Sequence, residues 1–318
     1  MSTATVEARG LTKNYGGVLA VDKLSFNAGA GEVIGLLGPN GAGKTTAIRM
    51  LTTILSPTAG TFAVAGVPHT RPAEIRRRVG VLPESAGYPE QQAGAEFLRY
   101  HARLFGHSRA SAQSTAGALL EQVGLAERGA SRIGTYSRGM RQRLGIARAL
   151  VNDPDVVFFD EPTLGLDPAG QRQVLRLVEA IARDRGATVL LSTHFLAEVE
   201  DICSRVLILN RGRVVAEGTV AEVTRRASAP RRARFRVPAE MLERALAVLS
   251  QVPGLKDAQP LDGRPDWVAV HFDEGQANAH VDVSHAVRAL ADNDVQLLAF
   301  ELEGARLSDA FLEMTGEG

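Results

Sequence analysis

Gly38-Pro-Asn-Gly-Ala-Gly-Lys44-Thr45-Thr46 follows the apolar run Val33-Ile-Gly-Leu-Leu37 and leads into a segment where Ile48, Leu51 and Leu55 recur at i, i+3 and i+7. The spacing Gly-x4-Gly-Lys-Ser/Thr between a strand and a helix is that of a phosphate-binding loop. The loop residues Gly38, Pro39, Asn40, Gly41, Ala42, Gly43 and Thr46 wrap the phosphates, all but Pro39 offering a backbone N–H, the Lys44 ammonium reaches the outer oxygens, and the Thr45 hydroxyl is placed for Mg2+. The helix that follows points its positive end at the same anion. A strand, a glycine-rich turn and a helix in this order predict an α/β fold.

Outward from that loop, 318 residues suffice for about two domains. Hydrophobic residues make up 45%, an ordinary globular share. Basic and acidic residues both total 36, so no net field recruits nucleic acid or an anionic surface. The single Cys203 has no disulfide partner in the chain and reads as an inert core thiol. The first residues lack a basic segment followed by an apolar one, so no signal peptide is expected. No run approaches the roughly eighteen apolar residues of a membrane helix.

Up to about residue 220 the pattern alternates strand, turn and helix. Val33–Leu37, Val156–Phe159 and Thr188–Leu191 are continuous apolar runs, as in parallel strands covered on both faces. Val174, Leu177, Val178 and Ile181 mark an amphipathic helix over Gln171–Arg183, with Asp167 and Pro168 as N-cap and first turn. Val206–Leu209 and Val214–Ala216 flank Asn210-Arg-Gly212 as a hairpin. Helical spacing around Phe97, Leu98, Leu104, Leu119, Leu120 and Val123 reads as a helical insertion.

The stretch Arg225-Arg-Ala-Ser-Ala-Pro-Arg-Arg232 breaks the pattern and reads as a linker, either a solvated connector or a contact for lipid headgroups or an acidic partner. Beyond it, strands are expected at Arg234–Val237, Lys256–Leu261, Trp267–Phe272 and Val295–Leu302. Helices are expected at Glu240–Leu249 and Val281–Leu290. This β-α-β-β-α-β order is ferredoxin-like. His271, His280 and His285 show no metal-ligand spacing.

Val156-Val-Phe-Phe-Asp160-Glu161 ends an apolar strand in two carboxylates, which at the C-terminal edge of an open α/β sheet face the ligand crevice. Asp160 is expected to hold Mg2+ through its water shell, and Glu161 to polarise an attacking water. Upstream, Tyr136-Ser137-Arg138-Gly139-Met140 resembles the Leu-Ser-Gly-Gly-Gln signature of ABC ATPases. Asp160-Glu-Pro-Thr-Leu-Gly-Leu-Asp167 resembles that family's Walker B and D-loop, Ser192-Thr-His194 its switch histidine, and Tyr15 its adenine-stacking aromatic. Five motifs stand in the family's order.

The sequence departs from the usual pattern at two places. Val79-Gly-Val-Leu-Pro-Glu84 carries glutamate where the family's Q-loop has glutamine, and Arg138 and Met140 replace Gly and Gln in the signature. Both departures, and the final segment Leu307-Ser-Asp-Ala-Phe-Leu-Glu-Met-Thr-Gly316, resemble the ABC-2 exporter branch with its daunorubicin-resistance-type ATPases.

The resemblance implies an α/β P-loop NTPase core with an antiparallel β subdomain and a helical insertion at about 88–150. The expected domains are 1–224, a linker over 225–232, and a C-terminal ferredoxin-like accessory domain over 233–318. The implied cofactors are ATP and Mg2+, the metal taken by Thr45, Asp160 and Glu84. Glu161, His194 and Lys44 are the implied catalytic groups, and Ser137 and Gly139 would reach the γ-phosphate bound by a second copy. A homodimer, a separate ABC-2-type membrane permease, no direct nucleic-acid contact and a peripheral place on the cytoplasmic face of the membrane follow as expectations. The competing readings are a soluble ABC ATPase that remodels a ribosome or nucleic acid, and a regulatory module that does not hydrolyse ATP. Members of the first kind generally carry two cassettes or long coiled-coil insertions, and the presence of Lys44, Asp160, Glu161 and His194 argues against the second.

Overall fold

The computed structural model describes residues 4–226, 232–261, 263–272, 279–303 and 307–316. It divides into the units Met1–Val220 and Ala221–Gly318. The expected boundary at 224 lies within one helix, Val220–Arg226. Of the expected linker, the first two residues end this helix, Arg232 opens the next strand, and 227–231 lie outside the described residues.

The first unit begins with β1 (Val6–Tyr15), β2 (Val18–Ala28) and β3 (Val33–Leu37), then α1 (Lys44–Leu51), β4 (Ala59–Val64) and β5 (Val67–Pro68). Next come α2 (Pro72–Arg78), β6 (Val79–Leu82) and the insertion helices α3 (Gly94–Leu104), α4 (Arg109–Gln122) and α5 (Arg138–Ala149). The chain then runs through β7 (Val156–Asp160), α6 (Pro168–Arg185), β8 (Thr188–Ser192), α7 (Leu196–Ile202), the hairpin β9 (Arg205–Asn210) and β10 (Arg213–Thr219), and α8 (Val220–Arg226). One sheet, β2-β1-β4-β5, is antiparallel. The other has the order β10-β9-β3-β8-β7-β6 and is parallel except at the β9–β10 hairpin.

Every residue of β3, β7 and β8 is buried, which is why these strands read as unbroken apolar runs. Leu36, Phe158 and Leu190 pack with Ile48, Met50 and Leu51 of α1 and with Phe26 and Phe62 of the antiparallel sheet, so one core joins both sheets. Burying a side chain of this size contributes roughly 1.5–3 kcal/mol.

α1 is shorter than its apolar spacing predicts. The Thr52 hydroxyl donates back to Ile48 O at 2.8 Å and Thr53 turns to φ 61°, so Leu55 packs on the core from outside the helix. α6 starts as expected, Asp167 accepting the Gly170 N–H at 3.1 Å, and runs on to Arg185. Cys203 is buried, and burial pushes its thiol up to about 12, the inert thiol the sequence implied.

The second unit contains β11 (Arg232–Arg236), α9 (Leu242–Leu249), β12 (Leu255–Leu261), β13 (Arg264–Phe272), α10 (Ala279–Asp292), β14 (Ala299–Glu303) and α11 (Leu307–Thr315). The antiparallel order β12-β13-β11-β14 is the ferredoxin-like arrangement. Phe235, Val268 and Val270 meet Ala245, Leu249, Ala286 and Leu290 in its core. The last strand starts at Ala299, not Val295. Asp294 takes φ 54°, Val295 is buried, and Leu298 N–H donates to Arg236 O at 2.8 Å before pairing begins. His271 accepts from Arg232 Nε at 2.5 Å. His280 has a side chain outside the described residues. Among the described residues no helix is long and apolar enough to cross a membrane.

Candidate active site

The order β3-β8-β7 sets three strand ends side by side at one edge of the parallel sheet, where an open α/β sheet takes its ligand. β3 delivers the glycine-rich loop, β7 delivers Asp160 and Glu161, and β8 delivers Ser192, Thr193 and His194. Two of the loop's glycines are demanded by sterics. A Cβ on Gly38 would stand 2.4 Å from Leu209 O; one on Gly43, at φ 105°, would stand 2.4 Å from Ala20 O.

Pro39, Asn40, Gly41, Ala42, Gly43, Lys44, Thr45 and Thr46 line a cleft of about 420 Å³ together with Glu84, Glu161, His194, Ala20 and Leu164. Lys44 is buried, and its Nζ donates to Gly38 O at 2.5 Å and Pro39 O at 3.3 Å, 4.0 Å from Glu161 Oε1. Burial lowers its pKa, against the pull of Glu161, Asp160 and Glu84. The ammonium is thus held ready by carbonyl oxygens at the mouth of an anion-binding loop.

Thr45 Oγ1 donates to Asp160 Oδ1 at 3.3 Å, and Ser192 Oγ donates to the same oxygen at 2.5 Å. A hydroxyl and a carboxylate converge here beside a phosphate-binding loop, a hard-oxygen set that fits Mg2+. Sequence reasoning had no role for Ser192. Its partner is set by the register Asp160↔Ser192 between parallel strands, which no local pattern reveals.

Glu161 is buried and adopts φ 49°, held there by its N–H, which reaches Ser192 O at 3.0 Å and Ser192 Oγ at 3.2 Å. Such a conformation costs about 1–3 kcal/mol and marks functional positions. Its Oε2 lies 2.9 Å from His194 Nδ1, which donates when the carboxyl is ionised. Burial raises the Glu161 pKa, and the adjacent His194, then Lys44, oppose the shift. A desolvated carboxylate hydrogen-bonded to an imidazole, beside an ammonium and a phosphate loop, is equipped to take a proton from water next to a bound phosphate.

Tyr15, Ser137 and Gly139 do not line this cleft. Tyr15 ends β1, 46% exposed, with the Lys13 ammonium 5.2 Å from its ring centre. Ser137 is the N-cap of α5 and accepts the Met140 N–H at 3.2 Å. Arg138, one of the departures in the signature, lays its guanidinium on Gly165; a Cβ there would meet its carbon at 2.5 Å.

A family model for ABC transporters matches residues 21–164. The daunorubicin/doxorubicin resistance ATP-binding protein DrrA of Streptomyces peucetius is 39% identical over 319 residues, covering 99% of this chain and 93% of that protein. The Nod factor export ATP-binding protein I of Burkholderia orbicola is 42% identical over 219 residues, 69% of this chain and 72% of that one. A solved structure of an ATP binding subunit of an ABC transporter superposes with a TM-score of 0.63 at 32% identity, covering 70% of this chain and 93% of its own.

Proposed function

Because the chain belongs to the ATP-binding subunits of ABC transporters and is an ATP-hydrolysing exporter subunit, we propose that it drives a separate ABC-2-type permease by closing as a homodimer around two Mg-ATP. The observation that carries the reading is one cleft lined by Lys44, Thr45, and Glu161 bonded to His194 at 2.9 Å, with the buried Asp160 accepting from Thr45 at 3.3 Å. The exporter relatives weigh against the ribosome-remodelling alternative.

In this reading the loop amides and Lys44 bind the phosphates. Glu161 takes the proton from the attacking water, and His194 holds that carboxylate in line. Mg2+, when bound, supplies charge neutralisation at the phosphates, and Thr45, Asp160 and Glu84 would hold it. Ser137 and Gly139 lie outside the cleft and serve the nucleotide of the second copy, while the exposed Tyr15 stacks on adenine. The assembly sits at the cytoplasmic face of the membrane through its permease.

The likeness to DrrA spans nearly the whole chain, second unit included, whereas the likeness to the Nod factor exporter covers 69%. This favours a daunorubicin-like drug over a Nod factor as cargo. Co-expression with an ABC-2-type permease, followed by ATPase assays with daunorubicin and with a Nod factor, tests the proposal. Stimulation by daunorubicin in the complex is expected; a chain that purifies without a membrane partner and is unaffected by either compound counts against it.

Glu84 places a full negative charge in the same cleft as Lys44. A hard cation prefers carboxylate oxygen, but without the metal the same charge repels phosphate. Glu84→Gln is therefore expected to stay active with a shallower Mg2+ dependence and an apparent Mg2+ affinity about tenfold weaker, a difference of roughly 1.4 kcal/mol. Glu84→Ala should also lose stimulation by the permease. ATPase titrations against Mg2+ decide this, and superimposable curves for the three proteins would remove the metal role.

A further inference from the structure

Glu198 is the third residue of α7, a position whose carboxylate ordinarily turns back to the N-cap amide. That amide, Phe195 N–H, is instead taken by Thr193 Oγ1 at 3.0 Å, and the Glu198 side chain is buried, 7% exposed. Its Oε2 accepts two hydrogen bonds, from Thr163 Oγ1 at 2.8 Å and Thr193 Oγ1 at 3.2 Å, and its Oε1 meets no donor. Both threonines are fully buried. Thr163 stands two residues after Glu161, and Thr193 immediately before His194.

One oxygen atom thus ties the turn that carries Glu161 to the turn that carries His194. Thr193 extends the tie, since its hydroxyl donates to Glu198 while accepting from the residue that follows His194. Burial raises the Glu198 pKa against the two hydroxyl bonds; of the nearby charges, Glu161 adds to the rise and His194 opposes it. A buried carboxyl left with one orphan oxygen is costly, and nothing in the fold of α7 requires it, because an apolar residue would fill the same space.

We propose that Glu198 is a positioning residue for ATP hydrolysis, whose single buried oxygen holds the Glu161 turn and the His194 turn in register so that the bond between those two side chains persists. The inference rests on the reading of Glu161 as the base and His194 as its partner. It requires hydrogen-bond acceptance at Glu198, not negative charge.

In the full-length chain, Glu198→Leu is expected to lower kcat about 10²-fold, the effect of a misplacement near 1 Å, with KM for Mg-ATP within roughly threefold. Glu198→Gln keeps an acceptor oxygen for both hydroxyls and puts an amide at the orphan position, so most of the rate should return. Thr163→Val with Thr193→Val cuts the same two bonds from the other side, and with them the Phe195 N–H bond to Thr193 Oγ1. It should reproduce the loss, and adding Glu198→Leu should cost little more, as expected of groups acting as a unit. These isosteric threonine variants carry the test if Glu198→Leu does not fold. The imidazole NMR signals of His194 give a readout apart from turnover: unchanged in Glu198→Gln, displaced in Glu198→Leu. Wild-type kcat in the Leu or threonine variants, losses that multiply, or a Gln variant as impaired as Leu would each overturn the proposal. Should Glu161→Gln prove active, the reading of the base fails by itself, while the NMR comparison and the non-additivity still judge the tie.

Discussion

Glu161→Gln is expected to bind Mg-ATP within about threefold of the parent and to hydrolyse it roughly 10²–10⁴-fold more slowly, the range associated with loss of a general base. The amide matches the carboxylate in shape, and the turn is held independently by the Glu161 N–H to Ser192 O and Oγ. Binding relies on the loop and Lys44 and is left in place. What disappears is the capacity to hold a proton and the charge that orders His194 Nδ1 at 2.9 Å. With hydrolysis blocked, the closed dimer has no route to reopening, so size-exclusion chromatography with ATP should show a persistent dimer. Turnover at the wild-type rate, or a monomer at saturating ATP, would refute both the assignment of the base and the dimer cycle.

Lys44→Ala should fail at an earlier step, losing nucleotide affinity and turnover together. The Lys44 ammonium is presented to the cleft by Gly38 O and Pro39 O and kept near Glu161. A charge-assisted bond of this kind is worth about 1.5–3 kcal/mol, or roughly ten- to 150-fold in affinity. Its removal also leaves Asp160 and Glu161 facing the incoming phosphates without their nearest cation, so the loss should reach the upper part of that range. Titration with a fluorescent nucleotide measures it. An unchanged dissociation constant would mean that the backbone amides alone hold the phosphates and that Lys44 has no binding role.

The sequence by itself determined the elements that deliver most of the candidate site, though not α7 with Glu198. The apolar runs of β3, β7 and β8, the glycine-rich loop with Lys44 and Thr45, the paired Asp160 and Glu161, and the Asp167 cap of α6 are local patterns. Each is set by periodicity, by turn sterics or by a nearby hydrogen bond, and those forces act within a few residues. The spacing overreached where a local break competed with it: Thr53 stops α1 short of Leu55, and Asp294 diverts the chain so that β14 begins only at Ala299. Tertiary structure alone decided what those elements meet. The order β3-β8-β7 brings Ser192 onto Asp160 and His194 onto Glu161, and it buries Glu198 between two threonines distant in sequence. Strand order and cross-strand register follow from how separate apolar faces share one core, and that choice is made only when distant segments of the chain pack together.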